Sequence, residues 1–150
     1  MEAVTLAEFY AARLDEREAA ARAATPGPWE ATLAVVAGIG SAYLIQRAVD
    51  DQEVALIQTS GSPLPDDAER ADAAHIELND PARVLREVEA KRVILAMHHA
   101  ELIEVINADQ DECSGYFCAE CDDREYPCPT LRQLTAVYSD HPDYNPDWTP

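Results

Sequence analysis

Residues 113–128 read CSGYFCAECDDREYPC, and this single segment holds all four cysteines of the chain. Its two inner cysteines form a Cys-Ala-Glu-Cys knuckle. Structural zinc is held by four nitrogen or sulfur ligands in a tetrahedron, and a two-residue gap lets one turn present both sulfurs. The spacing therefore predicts a closed zinc site made by the four thiolates of Cys113, Cys118, Cys121 and Cys128.

Zinc would stabilise the fold of the last third of the chain, which has few apolar residues to form a core. The free energy of zinc binding, about 10–16 kcal/mol in small zinc peptides, then becomes folding free energy for this region. Disulfides or free thiols are the alternative reading. The chain starts without the basic and apolar regions of a secretory signal, which predicts a cytoplasmic protein whose thiols stay reduced and favours the metal.

Three histidines are alternates for one of the four zinc ligands. His98 and His99 stand near the end of a predicted long helix, where His99 would face the apolar stripe, and either could replace Cys113. His141 is the third alternate, close to the C-terminus. A histidine satisfied by an ordinary hydrogen bond is the competing interpretation for each of them.

The charge of the chain limits the classes of partner. The formal net charge is −18 over 150 residues, and residues 101–150 contain 12 acidic and only 2 basic side chains. Nucleic-acid binding depends on cations placed at phosphates, so direct binding to DNA or RNA is disfavoured. An acidic surface also repels anionic lipid, and no stretch has the roughly 18 apolar residues of a membrane helix.

The pattern along the chain predicts an α+β fold. Thr5 and Glu8 fit a capping box at the start of a first helix. Short apolar runs separated by turn residues follow, and they predict a three-stranded antiparallel sheet with strands near 29–36, 43–49 and 53–58. The predicted order is N-terminal helix, three-stranded sheet, short helix, long helix from Pro81 to about Asn107, Cys-rich zinc loop, short C-terminal helix and extended tail.

We expect this order to form a single domain over 1–150. Its parts are helix plus β-meander at 1–60, a helical region at 66–107, and a zinc segment with helix and tail at 108–150. Asp80-Pro81 is expected to open the long helix as N-cap and first helical residue. Tyr144 and Trp148 would be unusual in a free tail and are expected to pack back onto the domain.

No motif in the sequence identifies a reaction. There is no metalloprotease HExxH, no nucleophile elbow and no phosphate-binding loop, so we expect a non-catalytic protein. The favoured function is a zinc-stabilised acidic interaction module, with Glu120, Asp122, Asp123 and Glu125 as candidate contact residues. The alternative is an inhibitor whose acidic surface imitates nucleic acid and occupies a DNA-binding enzyme of a host cell.

Six segments spread over nearly the whole chain resemble a known family. They are AARLDE at 11–16, PGPW at 26–29, AAHI at 73–76, DPARVLREVEAKR at 80–92, PCPTLR at 127–132 and HPDY at 141–144. The chain looks like an uncharacterised family of small acidic proteins from actinobacteria and their phages. The resemblance implies a phage or prophage setting, with a host protein as partner in the host cytoplasm, but it implies no reaction.

Overall fold

The computed structural model describes residues 4–58, 66–106, 112–121 and 126–150, with the side chains at 105–106 and 112–114 left out. Two compact units are formed by the chain. One consists of Met1–Asp15 and Glu89–Pro150, and the other of Glu16–Val88. The boundaries between the units fall inside the first and the third helix. The expectation of a single domain over 1–150 stays a prediction.

Helix α1 (Leu6–Ala23) starts at the predicted capping box. The backbone N–H of Thr5 donates to the Glu8 carboxylate at 2.8 Å, and the N–H of Glu8 donates back to Oγ1 of Thr5 at 3.2 Å. These two bonds satisfy N–H groups that have no partner within the helix. The hydrogen bond from the Thr5 backbone lowers the pKa of Glu8. The predicted cap is therefore confirmed in atomic detail.

The three-stranded sheet is the expected antiparallel meander. Its strands are β1 (Trp29–Val36), β2 (Gly40–Arg47) and β3 (Glu53–Ile57), in the order β1-β2-β3. Gly38 in the first turn has φ +78°, a left-handed conformation that favours glycine. Helix α2 (Asp67–Leu78) covers one face of this sheet, where its Ala73 packs against Ile45 and Ile57.

Helix α3 (Pro81–Met97) begins as predicted at Asp80-Pro81. Oδ1 of Asp80 accepts the N–H of Arg83 at 2.9 Å, and Asp80 is buried. Gly27, which follows α1, lies against this cap: a Cβ there would come within 2.6 Å of Asp80 Oδ1. The glycine is thus required by a close approach of two segments of the Glu16–Val88 unit.

The long helix does not run to Asn107, so the prediction of a helical region over 66–107 is wrong in its last part. Helix α3 ends at Met97, and Ala100–Ile106 forms strand β4. The predicted Cys-rich zinc loop is partly a strand: β5 (Glu112–Cys118) pairs with β4 antiparallel. Ile103, Val105 and Ile106 are β-branched and favour a strand. Pairing with β5 stabilises the strand, and the spacing of apolar residues within 100–106 does not predict that pairing.

The C-terminal end folds back as expected. Helix α4 (Pro129–Thr135) continues into a 3₁₀ turn at Ala136–Tyr138, and a second 3₁₀ turn at Pro146–Trp148 lies within the predicted extended tail. Trp148 and Tyr144 are buried and contact each other, and their ring centroids lie 5.1 and 5.9 Å from that of Phe9. These rings belong to the core of the unit that contains the cysteines.

Candidate metal centre

Four side chains from separate elements of the unit containing the cysteines meet in one cluster. His98 directly follows α3, and Cys118 is the last residue of β5. Cys121 follows in the knuckle, and Cys128 is the N-cap of α4. One donor atom from each residue lies within 4.8 Å of the others. The cluster could therefore hold one metal ion with a Cys₃His ligand set.

The three distances from His98 to the cysteine sulfurs are compatible with a tetrahedral metal site. Nδ1 of His98 lies 3.3 Å from Sγ of Cys118, 3.4 Å from Sγ of Cys121 and 3.6 Å from Sγ of Cys128. Bonds of about 2.3 Å to sulfur and 2.0–2.1 Å to nitrogen, arranged tetrahedrally, put nitrogen and sulfur about 3.6 Å apart. One ring nitrogen has a single lone pair or a single proton, so it cannot form three good hydrogen bonds to three sulfurs. A shared ion would account for all three distances together.

The pKa of the Cys118 thiol reflects two opposed influences. Burial, the largest, raises the pKa, but hydrogen bonds together outweigh burial and the pKa is lowered to about 7. These bonds come from the backbone N–H of Glu120, the His98 side chain, the backbone N–H of Cys121 and the Cys128 thiol. A thiolate is the form of cysteine that binds a metal, so the knuckle prepares Cys118 for ligation.

The pKa of the Cys121 thiol moves in the opposite direction. Burial raises it first, and the hydrogen bonds and negative charges of Cys118 and Cys128 raise it further, to about 11. Three thiolates gathered around one point repel one another unless a cation lies between them. The electrostatics of the cluster therefore favour a bound cation.

The sequence as a whole places the chain in a family. A family model described as a family of unknown function, DUF6221, matches residues 3–150. The chain belongs to this family. No curated protein and no solved structure matches it. The family has no assigned activity, so the function of this DUF6221 protein has to be argued from its geometry.

Helix α4 and the tail hold the Cys128 side of the cluster in place. Leu131, one turn after Cys128, is completely buried. The guanidinium of Arg132 donates to the carbonyl of Pro127 at 3.0 Å and to the carbonyl of Asp147 at 2.8 Å. Arg132 thus connects the segment just before Cys128 to the C-terminal tail, a role that the sequence does not indicate. In the sequence, the two prolines and the arginine near Cys128 would only weakly have indicated this contact with the tail.

Cys113 is the predicted ligand that the described cluster does not include. Its side chain lies outside the described ones, and its backbone in β5 is paired with Val105. A strand rises about 3.3 Å per residue, so the backbone of Cys113 is about 16 Å from that of Cys118. The role of Cys113 as a ligand stays a prediction. The described cluster contains His98, the alternate, as its fourth member.

The other two alternates lie elsewhere. His99 does not face an apolar stripe, because α3 has already ended. It is exposed, with Nδ1 donating to the Ala96 carbonyl at 3.1 Å and Nε2 lying 3.4 Å from the Glu101 carboxylate. His141 packs against Phe9, and its Nε2 lies 2.8 Å from Nη1 of Arg13. The half-buried His141 thus packs at the edge of the aromatic core.

The candidate acidic contact residues fall mostly outside the described part of the chain. Glu120 is exposed within the knuckle, whereas Asp122, Asp123 and Glu125 lie outside the described residues. The acidic contact surface therefore stays a prediction, since only Glu120 of the four candidate residues is described.

Each of the described helices is too short or too polar to span a bilayer.

The Glu16–Val88 unit contains a shallow cavity of about 310 Å³. Its lining is mainly apolar and holds one titratable side chain, Arg17. The lining residues are Arg17, Ala20, Ala21, Ala24, Trp29, Asn79, Pro81 and Val84. A general acid or base and a nucleophile are missing from this set, so the cavity offers no constellation for catalysis.

Proposed function

We propose that this protein is a zinc-stabilised, non-catalytic protein-interaction module. The observation that carries the proposal is the approach of three cysteine sulfurs, those of Cys118, Cys121 and Cys128, to one nitrogen of His98 at 3.3–3.6 Å. The metal would be structural, and the surface that it stabilises would bind another protein.

Zinc suits this ligand set better than other abundant divalent ions. Magnesium and calcium take oxygen ligands, whereas three thiolates and one imidazole are typical of zinc. Iron also accepts sulfur-rich tetrahedral sites, so it is the main competitor. The four donor atoms within 4.8 Å of one another suit a single ion.

A structural role follows from the number of ligands. Catalytic zinc sites have three protein ligands and keep the fourth position for water or substrate, whereas structural sites have four. His98 and the three cysteines would fill all four positions. The ion would then join the end of α3, the base of the β4–β5 hairpin and the start of α4, and its binding free energy would be folding free energy for this unit.

The cytoplasm is the compartment that fits such a site. Three thiols must stay reduced to bind the ion, and cytosolic glutathione and thioredoxin keep thiols in that state. In an oxidising compartment, pairs of these neighbouring thiols would form disulfides and lose the ligand geometry. We therefore place the protein in the cytoplasm as part of the proposal.

Elemental analysis of the protein, purified under reducing conditions without added metal, tests the zinc part. We expect about one zinc per chain, and replacement by cobalt should give the intense visible absorption of a tetrahedral thiolate site. Removal of the ion with a chelator should unfold the unit that contains the cysteines. A metal-free protein with unchanged folding under reducing conditions would refute the proposal.

A further inference from the structure

The β4–β5 hairpin carries large apolar side chains in contact with solvent. Leu102 is 56% exposed, Tyr116 is 62% exposed and Ile103 is 41% exposed. Leu102 and Tyr116 lie directly opposite each other in the register of the two strands. Side chains at opposite positions lie about 4.5–5.5 Å apart at Cβ, so these two form one continuous apolar patch.

The backbone of the same two residues is open to a further strand. The N–H of Ala119 donates to the carbonyl of His99 at 3.0 Å, which makes 99 and 119 a hydrogen-bonded pair. Bonded and non-bonded pairs alternate in an antiparallel ladder, so the pair Leu102–Tyr116 is non-bonded. The N–H and C=O groups of both residues therefore point away from the hairpin. In the described part of the chain this sheet has two strands, so both edges are open.

The charge around the hairpin determines which partner fits. Residues 93–123 contain eight acidic side chains and no lysine or arginine. Among the described residues of this range, Glu101, Glu104 and Glu120 are exposed. A second copy of this chain would bring the same negative charge to the hairpin and be repelled. A cationic segment with interspersed apolar side chains matches both the charge and the patch.

We propose that the β4–β5 hairpin binds an extended, cationic segment of another protein by strand addition. The segment would pair its backbone with the open edge at Leu102 or at Tyr116. Its apolar side chains would contact the patch that these residues form. Its lysines or arginines would project from the opposite face of the strand and lie beside Glu101. Such strand addition takes affinity from main-chain hydrogen bonds and specificity from alternate side chains.

The metal centre makes this docking edge dependent on the ion, and this step rests on the proposed zinc function. His98 lies two residues before β4, and Cys118 is the last residue of β5, opposite Ala100. Two ligands of one ion would thus hold both strands at the base of the hairpin. A two-stranded hairpin is marginally stable by itself in water. Loss of the ion is therefore expected to disorder the edge and abolish binding.

The test uses the zinc-loaded full chain and a short synthetic peptide in which lysine alternates with valine. We expect the peptide to bind, with amide chemical-shift changes concentrated at 100–104 and 115–118. The double variant Leu102→Thr with Tyr116→Thr keeps the charge and the β-propensity, and we expect its affinity to fall about tenfold because the apolar contacts are lost. The matched control, Leu78→Thr with Val137→Thr, removes two other exposed apolar side chains and should bind like the wild type.

Two further peptides separate strand addition from simple charge attraction. One carries a methyl group on every backbone nitrogen and cannot donate to the edge, and the other replaces valine by glycine. Equal binding of either peptide would overturn the proposal, as would unchanged affinity of the Leu102/Tyr116 variant. A dimer of the chain that uses the hairpin and excludes the peptide would overturn it too.

Zinc content is measured in every sample, so the two proposals can fail separately. A wild-type protein that holds no zinc refutes the zinc function, whatever the peptide does. Peptide binding that persists after verified removal of zinc refutes the dependence of the docking edge on the ion. Loss of binding together with the zinc, and its return when zinc is restored, would support both.

Discussion

Nδ1 of His98 lies 3.3 Å from Sγ of Cys118, although the two residues are 20 positions apart and the whole β4–β5 hairpin lies between them in sequence. The end of a helix and the end of a strand are thereby brought to one point. A cluster that includes Cys121 and Cys128 forms around it. If an ion is bound there, His98 would contribute to closing the hairpin and to placing the start of α4.

The adjacent residues His98 and His99 provide a matched pair for testing whether His98 is a metal ligand. His98→Gln should lower the zinc content per chain and the melting temperature, because it removes one of four ligands. His99→Gln is the control, since the His99 side chain is exposed and outside the cluster. Elemental analysis and thermal unfolding under reducing conditions would measure both. Equal zinc retention by the two variants would contradict the assignment of His98.

Cys113 gives the converse prediction. Its backbone lies about 16 Å along β5 from Cys118, so we expect Cys113→Ser to keep one zinc per chain. Cys118→Ser, by comparison, should lose the ion and destabilise the unit that contains the cysteines. A cobalt titration reports on both, because each thiolate contributes to the charge-transfer absorption. A weaker thiolate absorption band in Cys113→Ser than in the wild type would show that Cys113 is a ligand.

Local signals in the sequence predicted much of the fold. The cap at Thr5 and Glu8, the start at Asp80-Pro81 and the three-stranded meander each depend on residues that are close in sequence. The end of α3 could not be predicted in this way. Leu95, Leu102 and Ile106 continue a helical period, and only the distant partner β5 makes 100–106 a strand.

In the candidate metal centre, too, local features could be predicted from the sequence and long-range ones could not. The thiols at 118, 121 and 128 follow from their spacing, since a knuckle and a helix start are local features. His98 could be recognised only as one of several alternates, because its direction depends on where α3 ends. In a helix continued to Asn107, His99 rather than His98 would have faced the apolar stripe.

Gly27 supports the cap of α3 by having no side chain. We expect Gly27→Ala to destabilise the protein by about 1–3 kcal/mol, since the new Cβ would come within 2.6 Å of Asp80 Oδ1. Gly115→Ala is the control, because its nearest contacts, to the Phe117 ring, would be an ordinary 3.4 Å. Urea denaturation of both variants measures the difference. Equal stability of the two would show that the Asp80 cap can move at little cost.

The C-terminal tail contributes to the core through Trp148. Trp148→Ala should destabilise the unit that contains the cysteines by about 3–5 kcal/mol, the usual cost of truncating a buried aromatic side chain. The ring is 9% exposed and packs against Phe9 and Tyr144. Val137→Ala, at a side chain that is 71% exposed, should change the stability by less than about 0.5 kcal/mol. A similar small effect for both would mean that the tail does not stabilise the core.

If the cluster binds zinc as proposed, acid should release the ion, and the direction follows from the thiol pKa values. The metal-bound form carries no proton on its ligand thiols, whereas in the metal-free protein the pKa of Cys121 is about 11 and that of Cys118 about 7. Between pH 11 and pH 7, binding must displace the Cys121 proton, and below pH 7 it must displace that of Cys118 as well. Each displaced proton weakens the apparent affinity about tenfold per pH unit as the pH falls.

The slope of zinc affinity against pH should therefore become steeper below pH 7. Competition with a chromophoric chelator, measured from pH 8 to pH 5, would determine it. The Cys118→Ser variant has one thiol fewer to deprotonate and should show a shallower slope for any residual binding. An affinity for zinc that is independent of pH over this range would show that thiolates are not the ligands.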